Sequence, residues 1–233
     1  MKKHQNGFAV LEDDAFISKW AYDEGRLDHD IGTLRNFKKW IPDGGVVFDI
    51  GAFIGDHTIF YSNCVGDNGA VFAFEPQPDA YECLKYNMKD KPNVECFNRA
   101  LGNREQQASI VRNTTNAGAS RVDTNRKTGV LVQSLDGFVY NAPEREVKGI
   151  DFIKIDVEGM EPDVLLGGRN ALIEFRPVMV IEINAHSLVH YDRKPSDIFR
   201  ALEDLNYVWK PLQGEGGTLH TQWDAVCFPA ERD

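Results

Sequence analysis

The sequence predicts a doubly wound α/β fold: a seven-stranded, mostly parallel sheet with an antiparallel terminal strand and helices on both faces. Three observations lead there. The apolar run Val46–Ile50 ends on a glycine-bearing turn, Gly51-Ala52-Phe53-Ile54-Gly55-Asp56, and is answered one βαβ unit later by Val71–Phe74 closing on Glu75-Pro76. Short apolar runs and helical stretches then keep alternating through the rest of the 233 residues. The last two runs, Tyr207–Pro211 and Ala225–Phe228, are joined only by the glycine-rich Leu212–Asp224. That link is too short for a parallel crossover, so the two runs pair as an antiparallel hairpin inserted at the sheet edge.

In chain order, residues 1–43 carry Phe16, Ile17, Trp20, Leu27, Leu34, Phe37 and Trp40 at near-helical spacing among charges, and Pro42-Asp43-Gly44-Gly45 stops the pattern. This predicts an N-terminal helical cover of one or two amphipathic helices ahead of a single domain over 44–233. Strand Val46–Ile50 is followed by a helix from about Asp56 to Cys64, strand Val71–Phe74, a helix opening at Pro78-Asp79 where proline suits the first turn, and strand Val94–Phe97. The crossovers are short, hence right-handed and parallel. Asn113–Thr128 is polar, rich in turn formers and longer than an ordinary connection, which fits a lid or a surface excursion. Alternation resumes with Phe152–Asp156, a helix ending at Gly167-Gly168, strand Val178–Ile183 and a helix over Asp197–Leu205.

The first turn has the features of a nucleoside pocket. Gly51 and Gly55 let the backbone pass close beneath a ligand, and Glu75, where the second strand ends, can accept from both hydroxyls of an adenosine ribose. A dinucleotide would need Gly-x-Gly-x-x-Gly to seat its pyrophosphate. This turn instead has Ala52-Phe53-Ile54 between its glycines, Asp49 and Asp56 on either side, and no Lys or Arg. Two acids repel an anionic ligand and suit a cationic one, and S-adenosylmethionine carries a sulfonium, an ammonium and no phosphate. The cofactor-binding set so predicted is Asp49, Gly51, Ala52, Gly55, Asp56, Thr58, Glu75 and Pro76, with Ala100, Leu101 and Asp156 further along the chain. The helical cover is expected on one side of this cofactor mouth.

Composition narrows the partners. A net charge of −10 and no Lys/Arg stripe argue against nucleic acid. The start of the chain shows neither a signal-peptide core nor a membrane span, so no membrane partner and a cytoplasmic location are expected. Cys64, Cys83, Cys96 and Cys227 form no Cys-x-x-Cys and no zinc spacing, and read as reduced, mostly buried thiols. Trp20, Tyr22 and Trp209 suit a core or an interface alike, which leaves the oligomeric state open.

A second constellation is Asp151-Phe152-Ile153-Lys154-Ile155-Asp156-Val157-Glu158-Gly159-Met160-Glu161. Ligands of open α/β sheets collect beyond the carboxyl ends of the strands, where this run delivers Asp156. Through Asp49-Ile50-Gly51-Ala52-Phe53-Ile54-Gly55, Phe74-Glu75-Pro76, Ser134-Leu135-Asp136 and above all Ile153-Lys154-Ile155-Asp156-Val157-Glu158-Gly159, the chain over about 40–230 resembles the FkbM family of S-adenosylmethionine-dependent, class I (Rossmann-like) methyltransferases. The resemblance implies methyl transfer to oxygen, typically a hydroxyl of a sugar, polyketide or other small metabolite. Phe53 stands where the family usually has Asn, and Asp56-His57-Thr58 is individual to this chain, so the pocket wall is reshaped.

The residues favour a hydroxyl acceptor as well. Amine methylation usually relies on a Pro-Pro-Tyr or Pro-Pro-Phe turn after the fourth strand, and Asp156-Val157-Glu158-Gly159 stands there instead. Alcohols are poor nucleophiles until deprotonated, a task for a carboxylate. Asp156 is the first candidate base, with a contact to the cofactor's ammonium as its other role. His186 is the second, Glu158 is expected to orient Lys154 or the next helix, and His57 lines the pocket. No dedicated metal site is predicted. The alternative is magnesium held by oxygens of Asp156, Glu182 and Asn184. Acceptor-reading groups are expected in Asn113–Thr128, Asn184–Lys194 and Gln213–Thr221. Competing functions are N-methyl transfer to a small molecule or protein, an NAD-dependent oxidoreductase, and a non-catalytic adenosyl-binding scaffold. The missing third glycine disfavours the oxidoreductase, and the acids of the fourth strand disfavour the scaffold.

Overall fold

A computed structural model describes residues 1–141, 147–212 and 222–232. Its elements in chain order begin with β1 (Lys2–Lys3), β2 (Ala9–Val10), α1 (Ile17–Glu24), α2 (Ile31–Leu34), β3 (Val46–Ile50), α3 (Thr58–Val65), β4 (Ala70–Phe74), α4 (Pro78–Asn87) and β5 (Val94–Phe97). There follow β6 (Ala100–Gly102), β7 (Gln106–Val111), β8 (Arg121–Asp123), β9 (Val130–Ser134), α5 (Leu135–Asn141), β10 (Phe152–Ile155), α6 (Glu161–Gly167) and α7 (Arg169–Phe175). The last are β11 (Val178–Asn184), α8 (Ala185–Val189), α9 (Pro195–Asp204), β12 (Tyr207–Pro211) and β13 (Gln222–Pro229). The main sheet has seven strands, and the fold is the mostly parallel α/β class that the alternation predicts. The chain divides into two compact units, residues 1–100 with 107–131, and residues 101–106 with 132–233.

In the first unit β3, β4 and β5 run parallel, in register Val46↔Ala70 and Val71↔Val94. The side chains of Val47–Ile50 in β3 and Val71–Phe74 in β4 are buried and the apolar ones of β5 half-buried, and Phe48 packs on Phe72 and Phe74 at ring separations of 5.0 and 5.8 Å. Helix α3 begins two residues later than the sequence suggests, because the turn after β3 continues to His57. The segment ahead of β3 carries two short helices, α1 and α2, together with a ribbon in which β1 and β2 pair antiparallel. The ribbon is fastened to α4: Asn87 Oδ1 accepts from Ala9 N at 2.7 Å, and Asn87 Nδ2 donates to Ala9 O at 2.9 Å and to Ile54 O at 2.7 Å. Phe8–Leu11 and Leu27 share one buried cluster with Ala52, Phe53, Ile54 and Leu84, so the N-terminal segment packs directly on the glycine turn.

Asn113–Thr128 is more ordered than an open excursion. It holds a 3₁₀ turn, Ala117–Ala119, and strand β8, which pairs antiparallel with β7. Asp14 clamps it: one carboxylate oxygen accepts from Ala117 N at 3.0 Å and the other from Ser18 N at 2.7 Å. Arg112 adds a bidentate pair with Asp13 and a bond to Asp79. Strands β6 to β9 form a four-stranded sheet that the alternation did not suggest.

In the second unit β10 pairs parallel with β11, while β13 pairs antiparallel with both β11 and β12. The reversed strand is therefore the last in the chain, as the hairpin argument requires, and it inserts between β11 and β12. Aromatic side chains fasten the hairpin to α9, with Phe199 stacked on Trp209 at 4.1 Å and on Trp223 at 6.2 Å. No helix among the described residues is long and apolar enough to cross a membrane. The four cysteines are free thiols, and burial pushes Cys83 and Cys96 up to about 12.

Candidate active site

The first unit builds a cradle at the carboxyl ends of β3 and β4. Gly51 N and Ala52 N both donate to Phe74 O at 3.0 Å, which folds the turn back over β4. Gly51, Phe53 and Gly55 have φ of 91°, 48° and 90°, in the left-handed region that suits glycine and strains phenylalanine. A side chain at Gly55 would meet Leu84 Cδ1 at 2.9 Å and Met88 Cε at 3.1 Å, so this glycine also lets α4 approach the turn. Asp49 is buried and accepts from Thr58 Oγ1 at 2.6 Å, joining the end of β3 to the first turn of α3. Asp56 is buried beside His57, with 3.7 Å between His57 Nε2 and the carboxylate.

Glu75 holds the cradle together. One carboxylate oxygen accepts from Phe53 N at 2.9 Å and the other from Gln77 N at 2.7 Å, which clamps the glycine turn to the turn after β4. Each oxygen retains a second lone pair for a ligand hydroxyl. Burial pushes Glu75 up to about 7, against the pull of those two backbone N–H groups. Asn98 Nδ2 donates to the carbonyls of Glu75 and Pro76 at 2.9 and 3.2 Å. Next to them, Gln77 is buried with neither its amide nitrogen nor its amide oxygen hydrogen-bonded. An unpartnered buried carboxamide costs about 1–3 kcal/mol unless something meets it. Sequence reading passed over Gln77, although it directly follows Glu75-Pro76. Ala100 and Leu101 are buried within β6.

The second unit gathers acids around a buried lysine at the ends of β10 and β11. Lys154 is 3% exposed, and its ammonium lies 3.3 Å from Asp156 and 3.3 Å from Asp224. Burial alone would lower its pKa, but Asp156, Asp224 and Glu182 hold it well above the ordinary lysine range. Asp156 keeps a third of its side chain exposed, while its partner is sealed. Glu182 is buried, with one oxygen accepting from Gln222 Nε2 at 2.7 Å and the other unpartnered, and burial beside Asp156 raises its pKa well above the usual range.

Glu158 has φ of 54° and accepts from Ser187 Oγ at 2.6 Å, so its hydrogen bond goes to α8 rather than to Lys154. Burial, with Asp156 nearby, pushes it up to about 7. The turn from Asp156 to Gly159 is held by Glu161, whose Oε1 accepts from Val157 N at 3.2 Å and from Gly159 N at 3.1 Å. A side chain at Gly159 would meet Ser187 O at 2.4 Å. His186 is exposed on α8, and Asn184 Oδ1 caps that helix by accepting from His186 N and Ser187 N. That oxygen is thereby engaged, and the three acids that converge are Asp156, Glu158 and Glu182, whose ligand atoms lie within 4.8 Å of one another. Gln213–Thr221 lies outside the described residues.

The shifted acids make a pH prediction. Glu75 and Glu161 are both pushed by burial from 4.5 up to about 7. They bind protons more tightly folded than unfolded, so their stabilising contribution is full below about 4.5 and is lost as the pH rises through about 7. Melting of the ligand-free protein is expected to be highest near pH 5 and to fall toward pH 8, with the fall reduced in Glu161→Gln. A melting temperature that stays level or climbs over that interval contradicts the assignment.

Solved structures share the fold, and the class that they and the matching family model define is that of the S-adenosylmethionine-dependent methyltransferases. A methyltransferase FkbM structure from Methylobacillus flagellatus superposes with a TM-score of 0.52 at 16% identity, over 80% of this chain and 44% of that one. The chain thus spans less than half the length of that structure. An rRNA methylase from Clostridium thermocellum, described as putative, gives 0.55 at 12% identity, over 85% and 93% of the two chains. A curated relative, hexuronic acid methyltransferase AglP of Haloferax volcanii, is 28% identical over 187 residues, 79% of this chain and 72% of its own. The family model of the methyltransferase FkbM domain matches residues 49–208, and the chain belongs to that family.

Proposed function

We propose that the protein transfers a methyl group from S-adenosylmethionine to a hydroxyl of a sugar or related small metabolite, with uronic-acid saccharides the first acceptors to test. The observation that carries the cofactor assignment is Glu75, which clamps the glycine turn yet keeps a free lone pair on each oxygen. The residues fit the group: Gly51 and Ala52 supply a close-lying backbone, Glu75 would hold the ribose hydroxyls, and Gln77 would meet the adenine edge with its unpartnered amide. When bound, the cofactor supplies an electrophilic methyl on a sulfonium. The chemistry it would supply is transfer of that methyl to the acceptor oxygen, with Asp156 as the residue that would take the hydroxyl proton. Lys154 fixes the Asp156 carboxylate for that work. Orientation of the acceptor supplies much of the remaining rate.

A sugar acceptor is supported by the Haloferax volcanii relative, a hexuronic acid methyltransferase. A small acceptor in place of nucleic acid is supported by the net charge of −10. A hydroxyl acceptor is supported by Asp156, whose partly exposed carboxylate can take the proton an alcohol must lose.

Calorimetric titration with S-adenosylhomocysteine, with NADH as control, tests the cofactor. Micromolar binding is expected, weakened at least tenfold in Glu75→Ala, because a charged hydrogen bond contributes about 1.5–3 kcal/mol. Undiminished binding in a folded Glu75→Ala, or binding of NADH instead, overturns the assignment. Methyl transfer to glucuronic acid and to glucose then tests the acceptor. Methylation of both, with a product stable to mild base, marks an ether on a hydroxyl. A base-labile ester formed on glucuronic acid alone overturns the hydroxyl reading.

A further inference from the structure

The first unit contains a second cluster of functional groups, which takes in Asp56 and His57 of the predicted pocket and adds a residue that sequence reading did not single out. His29 lies between α1 and α2 in the N-terminal segment, with its backbone N–H donating to Leu27 O at 2.8 Å and its ring set edge-on against Trp20 at 4.8 Å. Asp56 and His57 come from the turn that leads into α3. One ligand atom from each of the three residues falls within 4.8 Å of the others, although His29 is far from the pair in sequence. Packing on Trp20 explains where the His29 ring rests, but not why a second imidazole and a buried carboxylate converge on it.

We propose that His29, Asp56 and His57 bind one divalent transition-metal ion. Two imidazoles and a carboxylate select zinc, manganese, cobalt, nickel or copper over magnesium and calcium, which prefer oxygen donors throughout. The positive end of α3 disfavours a cation at its first turn, and the Asp56 carboxylate offsets that field. Three protein ligands leave at least one coordination position open to water or to an oxygen of a bound molecule. The ion ties residue 29 to residues 56 and 57, and so adds a coordinate bond to the packing of Phe8–Leu11 and Leu27 against the glycine turn. The site shares Asp56 with the predicted cofactor set, but its three ligands are in place without a cofactor.

The test is titration of zinc into tag-free, chelator-stripped protein without cofactor, followed by calorimetry. One equivalent binding at micromolar concentration or tighter is expected, weakened at least tenfold by His29→Gln and by His57→Gln and unchanged by Glu158→Gln. Pulsed electron paramagnetic resonance of the copper-loaded parent is expected to show two coordinated imidazoles, a readout that does not depend on either variant folding. No binding up to millimolar zinc, unchanged affinity in both histidine variants, or a copper spectrum without paired imidazoles overturns the site. Binding lost in Glu158→Gln places the ion among the acids after β10 and overturns it too. S-adenosylhomocysteine titrated in parallel separates the two proposals: its binding without zinc binding removes only the metal site, and zinc binding without it removes only the cofactor assignment.

Discussion

Asp156→Asn is expected to lower methyl transfer by about 10²-fold or more, the contribution of a positioned general base, while S-adenosylhomocysteine affinity stays within a few-fold. The substitution keeps the size of the side chain and an acceptor for Lys154, whose ammonium lies 3.3 Å away, so the turn from Asp156 to Gly159 should hold its shape. What is lost is the capacity to take a proton. The split between kinetic constants tells chemistry from positioning: kcat should fall with KM for the acceptor little changed. An unchanged kcat in a folded variant removes Asp156 from the mechanism, and a fall confined to cofactor affinity moves it to a contact with the cofactor's ammonium.

Lys154→Met should be the most destabilising single change among the acids after β10. The lysine is the buried cation shared by Asp156 and Asp224, with Glu182 also in its field. Removing one partner of a buried charge network strands the others, at a cost of about 3–5 kcal/mol. The lower end applies, since a third of the Asp156 side chain is exposed to water. For a chain of this length that corresponds to a fall in Tm of roughly 10 °C. Adding Asp224→Asn removes one of the stranded charges and should recover part of the loss. If Lys154→Met melts with the parent, Lys154 is not the counter-charge of this cluster.

The central strands of the main sheet were legible because their side chains are largely buried on both faces, which writes each as an apolar run: Val46–Ile50 falls where expected and Phe152–Ile155 within a residue of it. The four-stranded sheet was not, because Gln106–Val111 mixes polar and small residues in a half-exposed ribbon. Helix α5 left a signal that was read only as family likeness: Ser134 Oγ accepts from Gly137 N at 3.0 Å, the bond of a helix start. In the cradle, Gly51 and Glu75 were visible from their spacing. The partners of Lys154 were half visible, since Asp156 is two residues away and Asp224 reaches it only through the pairing of β11 with β13. His29 was silent for the same reason, as its neighbours Asp56 and His57 meet it only after the N-terminal segment has packed on the turn. Glu161 stood in the most distinctive segment of the chain, and its bonds to Val157 N and Gly159 N give the acidic turn its shape.

The place of β13 has a consequence for synthesis. Strand β11 is flanked by β10 on one side and by β13 on the other, and β13 is made after both. A ribosome-bound chain that has emerged through β12 therefore holds β11 with a bare apolar edge, the kind of template that invites wrong pairing. Pairing of this edge waits on β13, and the nascent chain is most open to wrong pairing in the interval between synthesis of β12 and of β13.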